Sequence, residues 1–561
     1  MIRFIPNSSN LIAEGGEGEI YEYKAGIVKI FKPTVDLEAK KRKVDFLIGM
    51  TLPDCIAYPV DIVVNQNDEF IGYYMKKFDG NNLSMLANKK FTSMNNISTN
   101  DILKILVDLK NTILSLHTKG IYIGDLNDKN VLFNSNNEIC LIDCDSWSIN
   151  GDKCTVAMDL FKDPYLTRDN FNADTDLFAY SVIAWKCLTR IHPFGGTTNP
   201  DMDILTRMSS HISVIGNNVK IPRIAKSWKG MPPDLISEFK ENFETQTRNK
   251  LDLLDKFYQN LAFCNVDHEY YFNGFTTCPF CDVNAKIQSK AQSAGVSDGV
   301  PIYPVYDQSI IKMMISEDMY LGVDNKIHCL NFEATPEYGV KIHFLNDGIL
   351  VKEYNDRIIV NCKSNIFNIP KRFQTNIVID HNNIYFISPQ GFLTKTMISD
   401  FGNNFQKICK CSNTAFFNVK DGNYCVVNSF HNGTLIIETN DGMVNAVYHG
   451  EIINYGIHYD VNNGSWLVVI EDEKSTYKTY ILNCKSIVYE TDQIKYSCNL
   501  GNVCISNDVV FIPNDGYIRG FSYKGMKFKD FTCDFVSTDS NLQKRKNKFL
   551  IVNSENVYIF G

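Results

Sequence analysis

The chain has 561 residues, of which 44% are hydrophobic and 21% are charged, and its formal net charge at pH 7 is −8. This length suits about two to four domains, and this composition is that of a globular protein with large buried cores. The acidic balance argues against nucleic acid as a partner. Because no apolar run reaches the roughly 18 residues of a membrane-spanning helix, a membrane partner is not expected either.

The N-terminal sequence and the cysteines both bear on the cellular compartment. The segment MIRFIPNSSN lacks the apolar centre of a secretory signal peptide, and 17 cysteines are spread through the chain. Free thiols persist in a reducing compartment, so we expect a cytoplasmic protein. The basic run from Lys40 to Lys43 is predicted to cover the solvent-facing side of a helix.

The first predicted elements are a glycine-rich turn and a strand that carries a lysine. Gly15, Gly16 and Gly18 lie between two strand-like runs. Glycine there would let backbone N–H groups approach phosphate, although a plain hairpin turn would use the same residues. Lys29 alternates with apolar neighbours in IVKIFKP, so it points to the opposite face of its strand. A buried lysine needs an anionic partner, and an ATP phosphate is one candidate.

Two further positions follow from the assignment of Lys29. Glu38, in the predicted helix DLEAKKRKVDFL, is the glutamate available to pair with this lysine, and Asp36 and Asp45 are shorter alternatives. Met75, in the predicted strand EFIGYYMKKFDG, would border the adenine ring, and the backbone just after it would contact the base. An ordinary core role for Met75 is the competing interpretation.

A predicted amphipathic helix precedes a loop that has the spacing of a phosphotransferase catalytic loop. The apolar residues of DILKILVDLKNTILSLH form one helical stripe, and IGDLNDKNVLFN follows. Asp125 would accept the proton of the acceptor hydroxyl, and Asn130 would coordinate Mg²⁺. After the strand EICLI, Asp143 would bind the metal that bridges the phosphates. Downstream of the glycines and Lys29, this spacing predicts a site for ATP and Mg²⁺.

These segments carry a resemblance to a known family. GGEGEIY, VKIFKP, GDLNDKNVLF, LIDCDS and DLFAYSVIAWKCLTRIHPF resemble the bacterial protein kinases of the phosphorylation triad found with tellurium-resistance genes. The resemblance implies a two-lobed kinase fold over residues 1–262, use of Mg-ATP and a role in stress response. It also implies two partners, a von Willebrand factor A-type protein and a metal-dependent phosphatase. Asp176, in an otherwise apolar helix, is assigned by it to bracing the catalytic loop.

The catalytic loop departs from that of standard protein kinases. Ile123 and Gly124 replace His and Arg, which removes an anchor for a phosphorylated activation loop. Asn127 replaces a lysine that touches the γ-phosphate, and Cys144 and Asp145 replace Phe and Gly after the metal-binding aspartate. The leading interpretation is an active serine/threonine protein kinase with a protein substrate. The alternatives are a small-molecule hydroxyl kinase and a pseudokinase scaffold that binds ATP without turnover.

Four residues after the kinase-like region have metal-ligand spacing. Cys264, His268, Cys278 and Cys281 form C-x3-H-x9-C-x2-C, which suits a tetrahedral zinc site. Four protein ligands leave no position for water, so residues 263–284 are predicted to be a structural zinc-binding element. A redox Cys-x-x-Cys pair is the competing interpretation, but no thioredoxin-like βαβ pattern surrounds it.

The C-terminal part of the chain has a different pattern. After a polar linker at 285–300, residues 301–561 alternate short strands with Asn, Asp and Gly turns. Aligned apolar residues recur, with last three intervals of 42, 40 and 40 residues, at Ile384, Leu435, Tyr477, Tyr517 and Val557. This is the period of a four-stranded propeller blade and predicts six or seven blades; a pair of β-sandwiches or a solenoid is the alternative.

The predicted fold class is therefore multidomain α+β. A two-lobed protein-kinase-like domain comes first, a small zinc-binding element follows, and an all-β, propeller-like domain ends the chain. The propeller would serve as a sensor or docking platform, for a ligand that the sequence does not identify.

Overall fold

The computed structural model describes the chain apart from short segments. The residues outside the description are 8–9, 150, 153, 155–156, 167–169, 199–201, 217, 282–294, 298–299, 346–348, 363–364, 398–403, 431–432, 449, 451, 473–475, 484, 546–547 and 561. Two compact units account for the chain, one formed by Met1–Ile5 and Glu22–Ser293 and the other by Pro6–Tyr21 and Ala294–Gly561. Most of the predicted linker 285–300 lies outside the described residues.

The first six strands form one sheet in the order β1-β5-β6-β4-β3-β2. They are β1 (Ile2–Arg3), β2 (Leu11–Glu14), β3 (Gly18–Tyr23), β4 (Gly26–Phe31), β5 (Pro59–Val64) and β6 (Phe70–Lys76). Lys29 of β4 pairs with Tyr73 of β6. A Cβ at Gly72 would stand 1.9 Å from the carbonyl oxygen of Lys29. The close approach of β4 and β6 therefore depends on this glycine.

Helix α1 (Leu37–Ile48) connects β4 to β5. Asp36 caps its N-terminus, accepting the N–H groups of Glu38 and Ala39 at 3.1 Å each. The buried residues of α1 lie at positions 40, 43, 44 and 47, which form one stripe of the helix. That stripe includes two lysines, and their partners belong to the candidate site.

Residues 81–259 of the first unit are mainly helical. Their elements are β7 (Asn81–Asn82), α2 (Lys89–Met94), α3 (Thr99–Thr118), β8 (Val131–Phe133), β9 (Ile139–Leu141), α4 (Ala173–Thr189), α5 (Ile204–Ser209), α6 (Pro233–Glu244) and α7 (Asp252–Gln259). The apolar stripe predicted for α3 is buried, and Ser98 and Asp101 form a capping box at its start. The prediction of an amphipathic helix before the loop at 123–134 is confirmed.

Helix α4 is buried nearly all round, as its sequence predicts. Trp185 packs against Phe239 and Phe243 of α6, with ring centroids 5.3 and 6.0 Å apart. Lys186 interrupts the apolar sequence of α4, and its ammonium group lies 2.6 Å from the buried carboxylate of Asp128. This pair ties α4 to the catalytic loop.

A two-stranded antiparallel hairpin follows α7. Its strands are β10 (Leu261–Phe263) and β11 (Tyr270–Phe272). Lys226 donates to Glu269 at 2.7 Å, and the N–H of Phe272 donates to the carbonyl of Gly230 at 2.9 Å. These contacts attach the hairpin to the helical part of the first unit.

The described residues after 294 form seven antiparallel sheets. One has five strands in the order β12-β13-β40-β39-β38, namely β12 (Gly295–Ser297), β13 (Val300–Pro304), β38 (Asn541–Arg545), β39 (Lys548–Val552) and β40 (Val557–Phe560). Six have four strands in sequence order. They are β14–β17 (Ile311–Met314, Met319–Gly322, Ile327–Cys329, Phe332–Ala334), β18–β21 (Lys341–Leu345, Ile349–Glu353, Arg357–Cys362, Asn365–Pro370), β22–β25 (Val378–Asp380, Asn383–Ile387, Phe392–Met397, Gln406–Lys410), β26–β29 (Phe416–Lys420, Asn423–Ser429, Thr434–Thr439, Gly442–Val447), β30–β33 (Ile452–Asp460, Ser465–Asp472, Tyr477–Asn483, Ser486–Thr491) and β34–β37 (Cys504–Ser506, Val509–Asn514, Tyr517–Ser522, Lys527–Thr532). The mixed α+β class is thus confirmed.

The sheets explain the spacing of the aligned apolar residues. Leu435, Tyr477 and Tyr517 lie on the third strands of consecutive four-stranded sheets, and Val557 lies on β40. Ile384 lies on β23, the second strand of its sheet. The alignment therefore matched a second strand, at Ile384, with the third strands of the later sheets. This is why the interval from Ile384 to Leu435 differs from the others.

Buried aspartates link neighbouring sheets. The carboxylate of Asp380, at the end of β22, accepts the N–H groups of Asp421 and Gly422 at 3.0 and 2.7 Å. Asp460, at the end of β30, accepts the N–H of Asn507 at 2.7 Å. In both cases the acceptor ends the first strand of one sheet, and the donor lies in the first turn of the next.

The start and the end of this region share one sheet. Tyr303 and Pro304 of β13 pair with Ile559 and Tyr558 of β40. The side chain of Asn556 is fully buried. Its amide donates to the carbonyl of Tyr306 at 2.9 Å and accepts the N–H of Tyr306 at 3.1 Å. Within the described chain, no helix is long and apolar enough to span a membrane.

Replacing Asn556 by alanine is expected to weaken the pairing of β13 with β40. Three side-chain hydrogen bonds are lost, two with Tyr306 and one from the N–H of Val557, and Tyr306 keeps unmatched backbone groups, a cost of about 2–4 kcal/mol. Hydrogen–deuterium exchange of the full chain should accelerate in peptides covering 300–306 and 555–560, and not in peptides from α3. An Asn463→Ala control removes an asparagine that pairs with Asp508 on a surface turn. Unchanged exchange in β13 and β40 would contradict the prediction.

Candidate active site and metal centre

Lys29 lies among carboxylates in the interior of the first unit. It is 5% exposed, and its ammonium group pairs with Asp143 and, at 2.7 Å, with Asp145. Burial acts to lower the pKa of Lys29, but the two carboxylates outweigh it and the pKa is raised. The predicted inward direction of this lysine is confirmed.

Asp143 begins a short 3-10 turn, Cys144–Ser146, directly after β9. Its backbone is left-handed, with φ +64°, a conformation that aspartate tolerates better than most residues. The Ser146 hydroxyl donates to the Asp143 carbonyl at 2.8 Å and stabilises the turn. The Asp143 side chain is 33% exposed, and burial of its carboxylate raises its pKa despite the pairing with Lys29.

Asp145, two residues further on, is fully buried. It accepts hydrogen bonds from Lys29 (2.7 Å), from the Tyr73 hydroxyl (2.6 Å) and from Lys40 of α1 (2.8 Å). Burial alone would raise the pKa of Asp145, but the ammonium groups of Lys29 and Lys40 hold it well below its usual value. We call Lys29, Lys40, Asp143 and Asp145 the ion cluster; its two cations and two anions balance.

Two expectations about α1 are wrong. The structure pairs Lys29 with Asp143 and Asp145 and leaves Glu38 exposed in the first turn of the helix. The basic run does not lie wholly in solvent, because Lys40 and Lys43 are buried. Helical geometry is the reason: positions 40 and 43 share the inward stripe, whereas position 38 lies on another face.

Asp125 is enclosed by donors from its own loop and from a later segment. Its Oδ1 accepts from the N–H of Met158 (2.9 Å) and from the side-chain amide of Asn127 (3.0 Å). Its Oδ2 accepts from the amide of Asn130 at 3.1 Å. Burial raises the pKa of Asp125 to about 6, although the Met158 N–H acts in the other direction, and the charge of Asp143 adds to the rise.

Asn127 braces the predicted catalytic loop. It is 1% exposed, and its amide oxygen accepts the N–H groups of Lys129 and Asn130 at 2.9 and 3.1 Å. The N–H of Ile142 donates to the carbonyl of Asn130 at 3.0 Å, so this loop lies directly beside the strand end that carries Asp143. The residue that replaces the usual phosphate-contacting lysine thus holds the loop in shape and orients Asp125.

Asp176 of α4 fixes the backbone in front of Asp125. Its carboxylate accepts the N–H groups of Ile123 and Gly124, both at 2.8 Å, and lies 2.9 Å from Nε2 of His117. The bracing role implied by the family resemblance therefore matches this geometry. His117, at the end of α3, is a contributor that the sequence analysis missed.

The glycine turn and Met75 have simpler surroundings. The N–H of Gly15 donates to the carbonyl of Gly18 at 2.9 Å, which closes the turn between β2 and β3. A Cβ built at Gly15 would have one neighbouring atom within 4 Å, at 3.9 Å, and a Cβ built at Gly16 would have none. Sterics therefore do not require glycine at either position. Met75 is buried in β6 opposite Ile27.

A second cluster lies beside the β10–β11 hairpin. Ligand atoms of Cys264, Asp267, Cys278 and Cys281 all lie within 4.8 Å of one another and could hold a metal ion. The sulfur of Cys264 is 3.6 Å from that of Cys281, and a carboxylate oxygen of Asp267 is 3.3 Å from the sulfur of Cys278. Backbone N–H groups of Asp267 and Val266 lower the pKa of the Cys264 thiol.

His268, predicted as the fourth ligand, lies outside the group of ligand atoms that the structure brings together. Its side chain is exposed, its φ is +55°, and its ring lies 6.2 Å from that of Phe263. The fourth ligand atom near the three sulfurs is a carboxylate oxygen of Asp267. The resulting pairs, Cys264 with Asp267 and Cys278 with Cys281, have the same two-residue spacing, a signal that a search limited to Cys and His passes over.

The chain was compared with known proteins. No protein-family model matches it. Over 209 residues it is 26% identical to a probable serine/threonine-protein kinase of Dictyostelium discoideum, an alignment that covers 34% of this chain and 21% of that protein. The chain thus spans about a fifth of the length of this relative. The similarity agrees with the kinase-like motifs.

Replacing Gly124 by alanine is expected to destabilise the first unit more than replacing Gly120. Both have left-handed φ, +73° and +71°, so alanine costs each roughly 1 kcal/mol in backbone strain. A Cβ at Gly124 would also stand 2.6 Å from the Cβ of Cys154, whereas one at Gly120 would meet no atom within 4 Å. This overpacking adds about 1–3 kcal/mol.

Denaturant unfolding of the two variants measures the difference. Tryptophan fluorescence is a suitable probe, because three of the four tryptophans, Trp147, Trp185 and Trp228, belong to the first unit. Equal destabilisation by the two substitutions would show that Cys154 does not confine the loop.

Proposed function

We propose that the first unit is a kinase that transfers the γ-phosphoryl group of ATP to a serine or threonine hydroxyl of a protein. The observation that carries this proposal is the convergence of Asp125, Asn130 and Asp143 near the buried Lys29, from distant parts of the chain. Phosphoryl transfer needs such a set: a cation for the phosphates, oxygen ligands for metal, and an acceptor for the hydroxyl proton.

Each residue has a chemical role in this proposal. Lys29 binds the phosphates, and Asn130 and Asp143 supply oxygen ligands for Mg²⁺. These two residues suit Mg²⁺ as ligands. The amide nitrogen of Asn130 donates to Asp125, which leaves the amide oxygen of Asn130 for a cation, and the Asp143 side chain is partly exposed. Bound Mg²⁺ would neutralise charge on the phosphates. The glycine turn as a phosphate-binding loop and Met75 beside adenine stay predictions.

The proton has a defined destination. The bond from the γ-phosphorus to the bridging oxygen of ADP breaks as a bond forms to the hydroxyl oxygen of the substrate, whose proton passes to Asp125. Among described residues, Oδ1 of Asp125 accepts two hydrogen bonds and Oδ2 accepts one. Oδ2 therefore has acceptor capacity for the proton. A pKa of about 6 keeps the carboxylate mostly ionised at neutral pH.

Residues 295–560 are proposed to form a seven-bladed propeller that docks a substrate or senses a ligand. Seven successive antiparallel sheets support this assignment, as does the pairing of β13 with the last strand, which would join the two ends of a ring. The Asn556 variant tests that link. Membership of the tellurium-resistance-associated kinase family, and with it the von Willebrand factor A-type and phosphatase partners, stays a prediction.

Asp125→Asn is expected to lower labelling of a protein substrate, or of the chain itself, by at least about a hundredfold. Purified full-length chain is incubated with Mg²⁺ and γ-labelled ATP. Asp234→Asn, an exposed aspartate on α6, is the matched control and should keep full activity. ATP binding without any transfer would indicate a scaffold, and transfer to small hydroxyl compounds alone would indicate a small-molecule kinase; either result contradicts the proposal.

The cysteine cluster is proposed to hold one structural Zn²⁺ through Cys264, Asp267, Cys278 and Cys281. Three thiolates and a carboxylate form a closed set of four, so the ion would stabilise the hairpin without binding water. Metal analysis should find about one zinc per chain. Asp267→Ala should lower this content and the zinc affinity, whereas His268→Ala should not. If both variants lose zinc equally, or if Asp267→Ala retains its zinc, the proposal that Asp267 is the fourth ligand is contradicted.

A further inference from the structure

Asp145 is the most enclosed group of the ion cluster. Its side chain is 0% exposed, its Oδ1 accepts from Lys29 and from Tyr73, and its Oδ2 accepts from Lys40. A buried carboxylate with three donors, two of them ammonium groups, is held in one position.

The two carboxylate partners of Lys29 differ in access to solvent. The Asp143 side chain is 33% exposed, whereas Asp145 lies behind Tyr73 and Lys40. The proposed function gives Asp143 to Mg²⁺, which competes with Lys29 for the same carboxylate. Asp145 can keep its contact with Lys29 while Asp143 binds metal.

We propose that Asp145 is the positioning residue that aims Lys29 at the phosphates of ATP, a proposal that rests on the proposed function. Protein kinases in general pair this lysine with a glutamate of the helix that follows its strand. In this chain, the carboxylate and the helix that follows the strand are not combined in this way. The carboxylate comes from the segment after the metal-binding aspartate, and α1 supplies a cation, Lys40, that holds the carboxylate.

The same segment also holds α1 in place. Lys43 donates to the carbonyl of Trp147 at 2.7 Å, and Lys40 donates to the carbonyl of Asp145 at 3.2 Å. The two lysines lie one helical turn apart, so both can hydrogen-bond to residues 145–147 from the same face of α1. A displacement of this segment would take both Asp143 and Asp145 away from Lys29, which couples metal binding to the position of the lysine.

A double-mutant cycle on the full chain tests the positioning role. Asp145→Asn keeps the shape and removes the charge, and it is expected to weaken Mg-ATP binding about tenfold or more. In a Lys29→Met background the same change should alter binding less than about twofold, since the residue through which Asp145 acts is gone. Lys41→Met, an exposed lysine paired with Asp45, is the control and should bind Mg-ATP like the wild type.

A charge relocation provides the second arm. Lys40→Glu, combined with Asp145→Asn, returns one carboxylate to the cluster from the side of α1. It is expected to restore Mg-ATP affinity to within about threefold of wild type. Lys40→Glu alone places three carboxylates around Lys29 and should impair binding.

The outcomes separate this inference from the proposed function. If wild-type chain binds no Mg-ATP, the proposed function fails. If it binds Mg-ATP and Asp145→Asn stays within about twofold, the positioning role is overturned. An equal loss from Asp145→Asn with and without Lys29, or a loss that the relocated carboxylate does not reverse, shows a structural role only and also overturns it. Circular dichroism of each variant identifies loss of fold, and the relocation variant then decides.

Discussion

The pairing of one buried lysine with two aspartates two residues apart is the constraint on which the first unit depends. A single charge cannot leave water cheaply, so Lys29 on β4 requires carboxylates, and Asp145 in turn requires the ammonium group of Lys40. This set brings the sheet, α1 and the 3-10 turn after β9 together. The close approach of β6 at Gly72 and the left-handed backbone of Asp143 both serve that arrangement.

Around this cluster, the proposed catalytic loop is held by side chains that hydrogen-bond to its backbone. Asp176 accepts two N–H groups in front of Asp125, and Asn127 accepts two behind it. Departures from the usual kinase loop thus have structural explanations here. Gly124 fits where a side chain would collide with Cys154, and the amide of Asn127 donates to the proposed proton acceptor, Asp125.

The second unit is stabilised by repetition instead of by one cluster. Each sheet buries alternating apolar residues against its neighbours, and aspartates at strand ends bind the first turn of the next sheet. Because the third strands of consecutive sheets follow one another at about 40 residues, the repeat is visible in the sequence as a period. The period predicted six or seven blades, and the alignment was wrong at Ile384, which lies on the second strand of its sheet instead of the third.

By itself, the sequence determined the mixed fold class, the amphipathic α3, the buried α4, the inward lysine and the spacing of Asp125, Asn130 and Asp143. These features are local, since periodicity and short spacing express how one segment meets its surroundings. The tertiary structure alone decided which groups meet. It gave Lys29 to Asp145 instead of Glu38, and it placed Asp267 where His268 was expected. Such choices depend on which face of a helix or turn points inward after distant segments pack, and no local pattern records that direction.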